Sequence, residues 1–171
     1  MGVRRVVTGH SSDGKALVAD DEEVAPVPIG AFGSATTLLW GRDDLARFPD
    51  DGAPPSIAAA LPPPGGSRLA MMELAPQGDH FDHFVRDALE PWADPDNPGM
   101  HRTPSIDYDI VLTGTVGLEL DDGTEVLLGP GDVVVQNGTR HRWHNRGDVV
   151  ARVASVMIGG HHEVIGGSRL A

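Results

Sequence analysis

The chain has no cysteine among its 171 residues, which excludes disulfides, thiolate nucleophiles and sulfur-held zinc together. Any metal must then be held by histidine and carboxylate. Basic residues are also scarce. Thirteen Lys and Arg face twenty-five Asp and Glu, for a formal charge of -12. Such a surface repels phosphate backbones and anionic lipids, so neither nucleic acid nor membrane is expected as a partner, and a small molecule is. No apolar run approaches the ~20 residues that span a bilayer. The start, Met1 to His10, carries arginines without the long apolar stretch of a signal peptide. A cytoplasmic, soluble protein is the expectation. The sequence holds no nucleophile elbow, phosphate loop or dinucleotide fingerprint, so no nucleotide or flavin is expected.

What is abundant is glycine and proline, 22 and 14 residues, falling between short β-type runs. That punctuation predicts an all-β barrel or sandwich, and the length suits one structural domain burying roughly 70% of its unfolded surface. Strands are expected at Val3 to Thr8, Lys15 to Ala19, Thr36 to Trp40 and Arg68 to Leu74. Further strands follow at Ile106 to Thr113, Thr115 to Leu120, Thr124 to Leu128, Val133 to Gln136, Arg140 to Asn145 and Val149 to Ile158. Asp122-Gly123 has the form of a two-residue hairpin turn. Residues 49–66 are rich in Pro and Gly, and the run Pro62-Pro63-Pro64 cannot donate to a β ladder. Residues 1–67 are therefore read as N-terminal strands and an irregular arm, 68–160 as the barrel core and 161–171 as a tail. One short helix is predicted from Asp79 to Leu89, with Phe81, Phe84, Val85 and Leu89 at helical spacing. It is either a lid over the barrel mouth or an edge cover.

Side chains on a strand alternate between faces, so His101, Thr103, Asp107 and Asp109 share one face if the strand is continuous. A second imidazole, His141, returns after a hairpin and a Gly138 turn, with Trp143 at the same parity and His144 pointing away. Two neutral nitrogens and a carboxylate converging on a barrel interior outline a divalent-metal site. Asp107 and Asp109 have equal parity, and twist decides which of them contributes. Thr103 is a weak ligand, suited to orienting water or substrate, or simply a β-branched strand residue. His80 and His83, at i,i+3 on the predicted helix, are further acid–base candidates or solvated surface residues. His161 and His162 read as tail residues.

The residues His101, Thr103, Asp107 and Gly114, followed by Gly131-Asp132, Gln136-Asn137-Gly138, His141 and Asn145, resemble the two motifs of the cupin superfamily. The likeness runs from Leu69 to Ile158. It implies a jelly-roll β-barrel with one divalent transition metal (Fe, Zn, Mn or Ni), held here by His101, Asp107 and His141. Three positions depart from the family pattern. Thr103 stands where a second His is usual, Asp107 replaces Glu, and Gln136 replaces Pro. The chain is also similar to short stand-alone microbial cupins, some of them tailoring enzymes of polyketide pathways. The resemblance further implies a homodimer through the N-terminal strands, with Val3 to Val18 available.

The expected function is a metal-dependent lyase that decarboxylates or dehydrates a small polyketide-like keto or hydroxy carboxylic acid through a stabilised enolate. Thr103, His80 and His83 are its catalytic candidates, and Asp109 and Trp143 line its substrate pocket. An Fe(II) dioxygenase and a non-catalytic small-molecule binder are the alternatives.

Overall fold

A computed structural model describes residues 2–29, 34–76, 89 and 92–163. Eleven strands run in chain order. They are β1 Val3–His10, β2 Ala16–Val24, β3 Val27–Ile29, β4 Ser34–Arg42, β5 Ser67–Leu74 and β6 Ser105–Thr113. The set continues with β7 Val116–Leu120, β8 Glu125–Leu128, β9 Val133–Asn137, β10 His141–Asn145 and β11 Ala151–Gly159. Six of them form a sheet in the order β3-β4-β5-β11-β6-β9, and three form a second sheet, β10-β7-β8. This is the all-β architecture expected from the punctuation, in the two-sheet jelly-roll form that the resemblance implied. The sheets do not close into one hydrogen-bonded wall. An isolated bridge between His101 and His141 lies outside the named ladders. The predicted helix from Asp79 falls almost entirely outside the described residues, and His80 and His83 lie there with it.

Strand β6 sets the character of the interior. Its inward positions are Ser105, Asp107, Asp109 and Val111, and all four are buried. Its outward positions Tyr108, Ile110 and Leu112 are exposed. Strand β11 pairs antiparallel with it, so that Val153 meets Val111, Ser155 meets Asp109 and Met157 meets Asp107. On the other side of β11, β5 sets Leu74 against Ala151 and Ala70 against Ser155. The space between the sheets is thereby divided in two. One end is hydrocarbon, where Leu74, Val111, Val116, Leu118, Leu128, Trp143, Ala151 and Val153 form a continuous cluster drawn from both sheets. Burying each large side chain of that cluster is worth about 1.5–3 kcal/mol. The other end carries the polar inward residues.

Strands β1 and β2 form a separate hairpin, with the return strand running to Val24 rather than stopping near Ala19. Charge explains the extension. Arg4 holds Asp21 through two nitrogens, and Arg5 reaches both Asp20 and Glu22, so the acidic run can lie in a ladder. Arg5 also donates to the Leu39 carbonyl at 2.9 Å and stacks over Trp40, tying the hairpin to β4.

The Pro- and Gly-rich arm packs onto the sheets at defined points. Arg68 is wholly buried and gathers the arm around its guanidinium. It donates to the carbonyls of Arg42, Ala59, Leu61 and Ser67 and to the Asp43 carboxylate. Further along, the Gly159 N–H donates to Gly66 and the Gly65 N–H donates to Gly159. A Cβ on Gly159 would sit 2.0 Å from the Pro63 oxygen, a backbone atom that cannot swing aside. Gly159→Ala is therefore expected to cost about 1–3 kcal/mol through overpacking. Thermal unfolding would measure the loss, and limited proteolysis should show residues 49–66 cleaved sooner.

Candidate functional site

The polar half of the interior encloses a cavity of about 170 Å³. His101, Thr103, Asp107, Asp109, His141 and Ser155 form its polar end. Leu38, Leu61, Met72, Leu89, Trp143 and Met157 are among its apolar walls. Every described residue singled out for the site from the sequence, apart from the tail histidines, is on this surface. The arrangement is more irregular than one continuous strand. Strand β6 begins only at Ser105, and His101 sits before it in isolated bridges to Ala93 and His141.

That bridge is what joins the two motifs. The His101 N–H donates to the His141 carbonyl at 2.9 Å, and the His141 N–H returns to His101 at 2.8 Å. Backbone pairing thus holds the two imidazoles side by side, with ring centroids 4.3 Å apart. Trp143 presents its edge to His141 at 6.2 Å. Each Nδ1–H donates to a nearby carbonyl, His101 to Gly99 at 2.9 Å and His141 to Thr139 at 3.0 Å. This fixes the tautomer and leaves each Nε2 with a lone pair. Burial keeps both rings neutral. It lowers the pKa of His101, and burial together with the neighbouring His101 pushes His141 down to about 3.

The carboxyl groups differ from each other. Asp107 accepts the Thr103 hydroxyl at 2.8 Å on one oxygen and the Ser105 hydroxyl at 2.5 Å on the other. Burial raises its pKa, and these two hydroxyls oppose the rise. Asp109 is pushed up to about 7, first by burial and further by Asp107, against a hydrogen bond from Ser155. Two carboxyls with separated proton affinities thus face two neutral imidazoles.

As a metal site, the donor set fits at two positions. Histidines whose Nδ1–H is bonded to a carbonyl are oriented as metal-binding histidines are. Both oxygens of Asp107, the expected third ligand, are occupied by hydroxyls. Among the described residues no group of three or more His, Asp or Glu is placed to hold an ion.

The sequence reading missed Ser105 and Ser155, the hydroxyls that tune the two carboxyls. A signal was present, since Ser155 occupies an inward position between Val153 and Met157. His144 points away from the cavity as expected and bonds Glu119. Asn145 is structural, donating to the Leu74 and Val149 carbonyls. Gln136 is buried and donates to the Thr139 carbonyl at 3.1 Å, beside His141 in the chain. His162 meets the Gly138 carbonyl and the Trp92 ring, outside the cavity.

Residues 94–158, which span both motifs, match the family described as the cupin domain. This segment resembles a cupin domain. The chain is 40% identical over 109 residues to "Phomopsin biosynthesis cluster protein C'" of Diaporthe leptostromiformis, covering 63% of this chain and 46% of that protein. It is 28% identical to the "Cupin-domain-containing oxidoreductase virC" of Hypocrea virens, over 84% of this chain and 69% of the relative. The chain thus spans less than half of the first relative's length. The polyketide cyclase RemF of Streptomyces resistomycificus is similar in structure, with 18% identity, a TM-score of 0.47 and coverage of 82% and 77% of the two chains. The matched segment contains both motif histidines and the whole polar end of the cavity. Among the described residues no helix is long and apolar enough to cross a membrane.

Proposed function

We propose that this cupin-like domain belongs to an enzyme of secondary metabolism and that it acts as a lyase of dehydratase type on a small hydroxy-carbonyl compound. One observation carries the reading. A carboxyl that titrates near 7 stands with a second carboxyl and two neutral imidazoles at the end of an apolar cavity. General acid–base catalysis works best when the catalytic pKa lies near the operating pH. In this mechanism Asp107, whose two hydroxyl donors favour its ionised form against the effect of burial, takes the proton next to the substrate carbonyl. Asp109 in its acid form gives a proton to the departing hydroxyl, and water leaves. A proton then passes from Asp107 back to Asp109 to reset the pair. The Nε2 lone pairs of His101 and His141 accept hydrogen bonds from substrate hydroxyls and fix their position. Relatives named for biosynthesis clusters support a role in secondary metabolism.

A second reading is favoured by the imidazole tautomers and by relatives named oxidoreductases. In that case His101 and His141 would hold a divalent metal, which would supply Lewis-acid or redox chemistry. One experiment separates the two. The protein is offered a one-ring aryl β-hydroxy ketone, with product mass and oxygen uptake followed before and after chelation. The dehydratase reading expects loss of one water, no oxygen consumed and no effect of chelator. It also expects His141→Ala to lower the rate at least tenfold. Oxygen uptake abolished by chelation would replace it with the metal reading.

A further inference from the structure

We infer that the cavity selects an uncharged molecule about the size of one ring that presents hydroxyl or N–H donors, and that it rejects carboxylates. The inference rests on the metal-independent reading above and narrows its substrate class, setting aside the carboxylic acid expected from the sequence.

Size comes first. The cavity measures about 170 Å³, and an apolar cavity of ~150 Å³ holds a benzene. Its walls are hydrocarbon and thioether from Leu38, Leu61, Met72 and Met157, with the Trp143 ring. A single ring or a short branched chain suits them.

Polarity comes second. The groups at the polar end are mainly acceptors. Both imidazoles have committed their N–H to backbone carbonyls and offer only lone pairs. Asp107 offers carboxylate oxygens, and the hydroxyls of Thr103 and Ser105 are already donated to it. A ligand that brings donors satisfies these groups, whereas one that brings only acceptors leaves them facing lone pairs.

Charge comes third. No Lys or Arg is among the described residues lining the cavity. Arg68, the buried guanidinium of β5, is committed to Asp43 and four carbonyls. An anion entering here meets the acceptor oxygens of Asp107 beside the Asp109 carboxyl and no cationic partner among the described lining residues, in a medium where repulsion is poorly screened.

Calorimetric titration of the full chain with benzamide, benzoate and toluene tests this. Benzamide and benzoate share shape and differ in charge and donors, and toluene has neither. Benzamide is expected to bind, with benzoate at least a hundredfold weaker and toluene weaker than benzamide. In the double variant Asp107→Asn, Asp109→Asn the gap between benzamide and benzoate should shrink to under tenfold. Leu61→Trp, which fills the cavity from the arm, should abolish benzamide binding while leaving the melting transition cooperative. Benzoate binding as well as benzamide in the wild type overturns the inference. If chelator then removes the benzoate binding, the metal-independent reading falls with it. If chelator has no effect, that reading stands and only the selectivity is wrong. Failure of all three probes to bind also overturns the inference.

Discussion

Arg68→Met is expected to destabilise the protein by about 3–5 kcal/mol, the cost of breaking a buried charged network from one side. The guanidinium has no solvent exposure, and its partners are mostly backbone carbonyls of the arm. Methionine replaces the volume but leaves the carbonyls of Arg42, Ala59 and Leu61 without this donor. Each buried acceptor left unpaired costs about 1–3 kcal/mol. For a chain of this length the sum corresponds to a fall of roughly 10 °C in melting temperature. The effect should reach the site as well, because Ala60 and Leu61 line the cavity and Arg68 bonds the carbonyls of Ala59 and Leu61. Calorimetry of the variant, together with benzamide binding, checks both parts. A loss below about 1 kcal/mol would show that the arm is held by something else.

Asp109→Asn is expected to stabilise the protein at neutral pH and to leave it unchanged near pH 4. The sign follows from proton uptake. Asp109 has a folded pKa of about 7 against an unfolded value near 3.9. Between these values the folded state holds a proton that the unfolded state has lost. Its contribution to stability therefore falls as pH rises from about 4 to about 7. His141 acts in the opposite sense. Its folded pKa of about 3 lies below the ordinary 6.5, so its contribution rises with pH between about 3 and 6.5. The two nearly cancel in the wild type over their shared window. Removing the Asp109 carboxyl unmasks the histidine term. At about 1.4 kcal/mol per pKa unit, the gain at pH 7 has a ceiling of about 4 kcal/mol. Melting curves of both proteins from pH 4 to pH 8 should diverge steadily upward. A gap independent of pH would refute the assignment. The same variant should lose catalytic rate, the usual exchange of activity for stability at a working site.

Much of the fold was legible because its turns are spelled in the chain. Asp122-Gly123 supplies the hairpin between β7 and β8, and Gly123 adopts a φ of 82°. Alternation along the expected strand Ile106 to Thr113 placed both aspartates on the inward face. Strand β3 was missed because it is three residues long and contains Pro28, which cannot donate to a ladder. The convergence of His101 and His141 could be anticipated only through the motifs, since a two-sided backbone bridge joins segments forty residues apart. The hydroxyl partners of the carboxyls were passed over, although strand parity marked Ser155 as inward. Ser105 and Ser155 otherwise look like ordinary strand residues. Arg68 was hidden, because nothing local marks an arginine that will be wrapped by a proline-rich segment.

The inverted polarity of β6 has a consequence for how the chain reaches this structure. A one-residue slip of β6 along β11 would exchange its faces, hiding Tyr108, Ile110 and Leu112 and turning both aspartates to water. Hydrocarbon burial alone favours that misaligned state over the native one. What opposes it is the end of the strand. Val111 is anchored between the sheets, and Gly114, at a φ of 77°, lies so close to Ala151 that a Cβ there would approach within 2.7 Å. A few residues beyond the aspartates thus select the native register over its more apolar competitor, and the polar groups stay between the sheets.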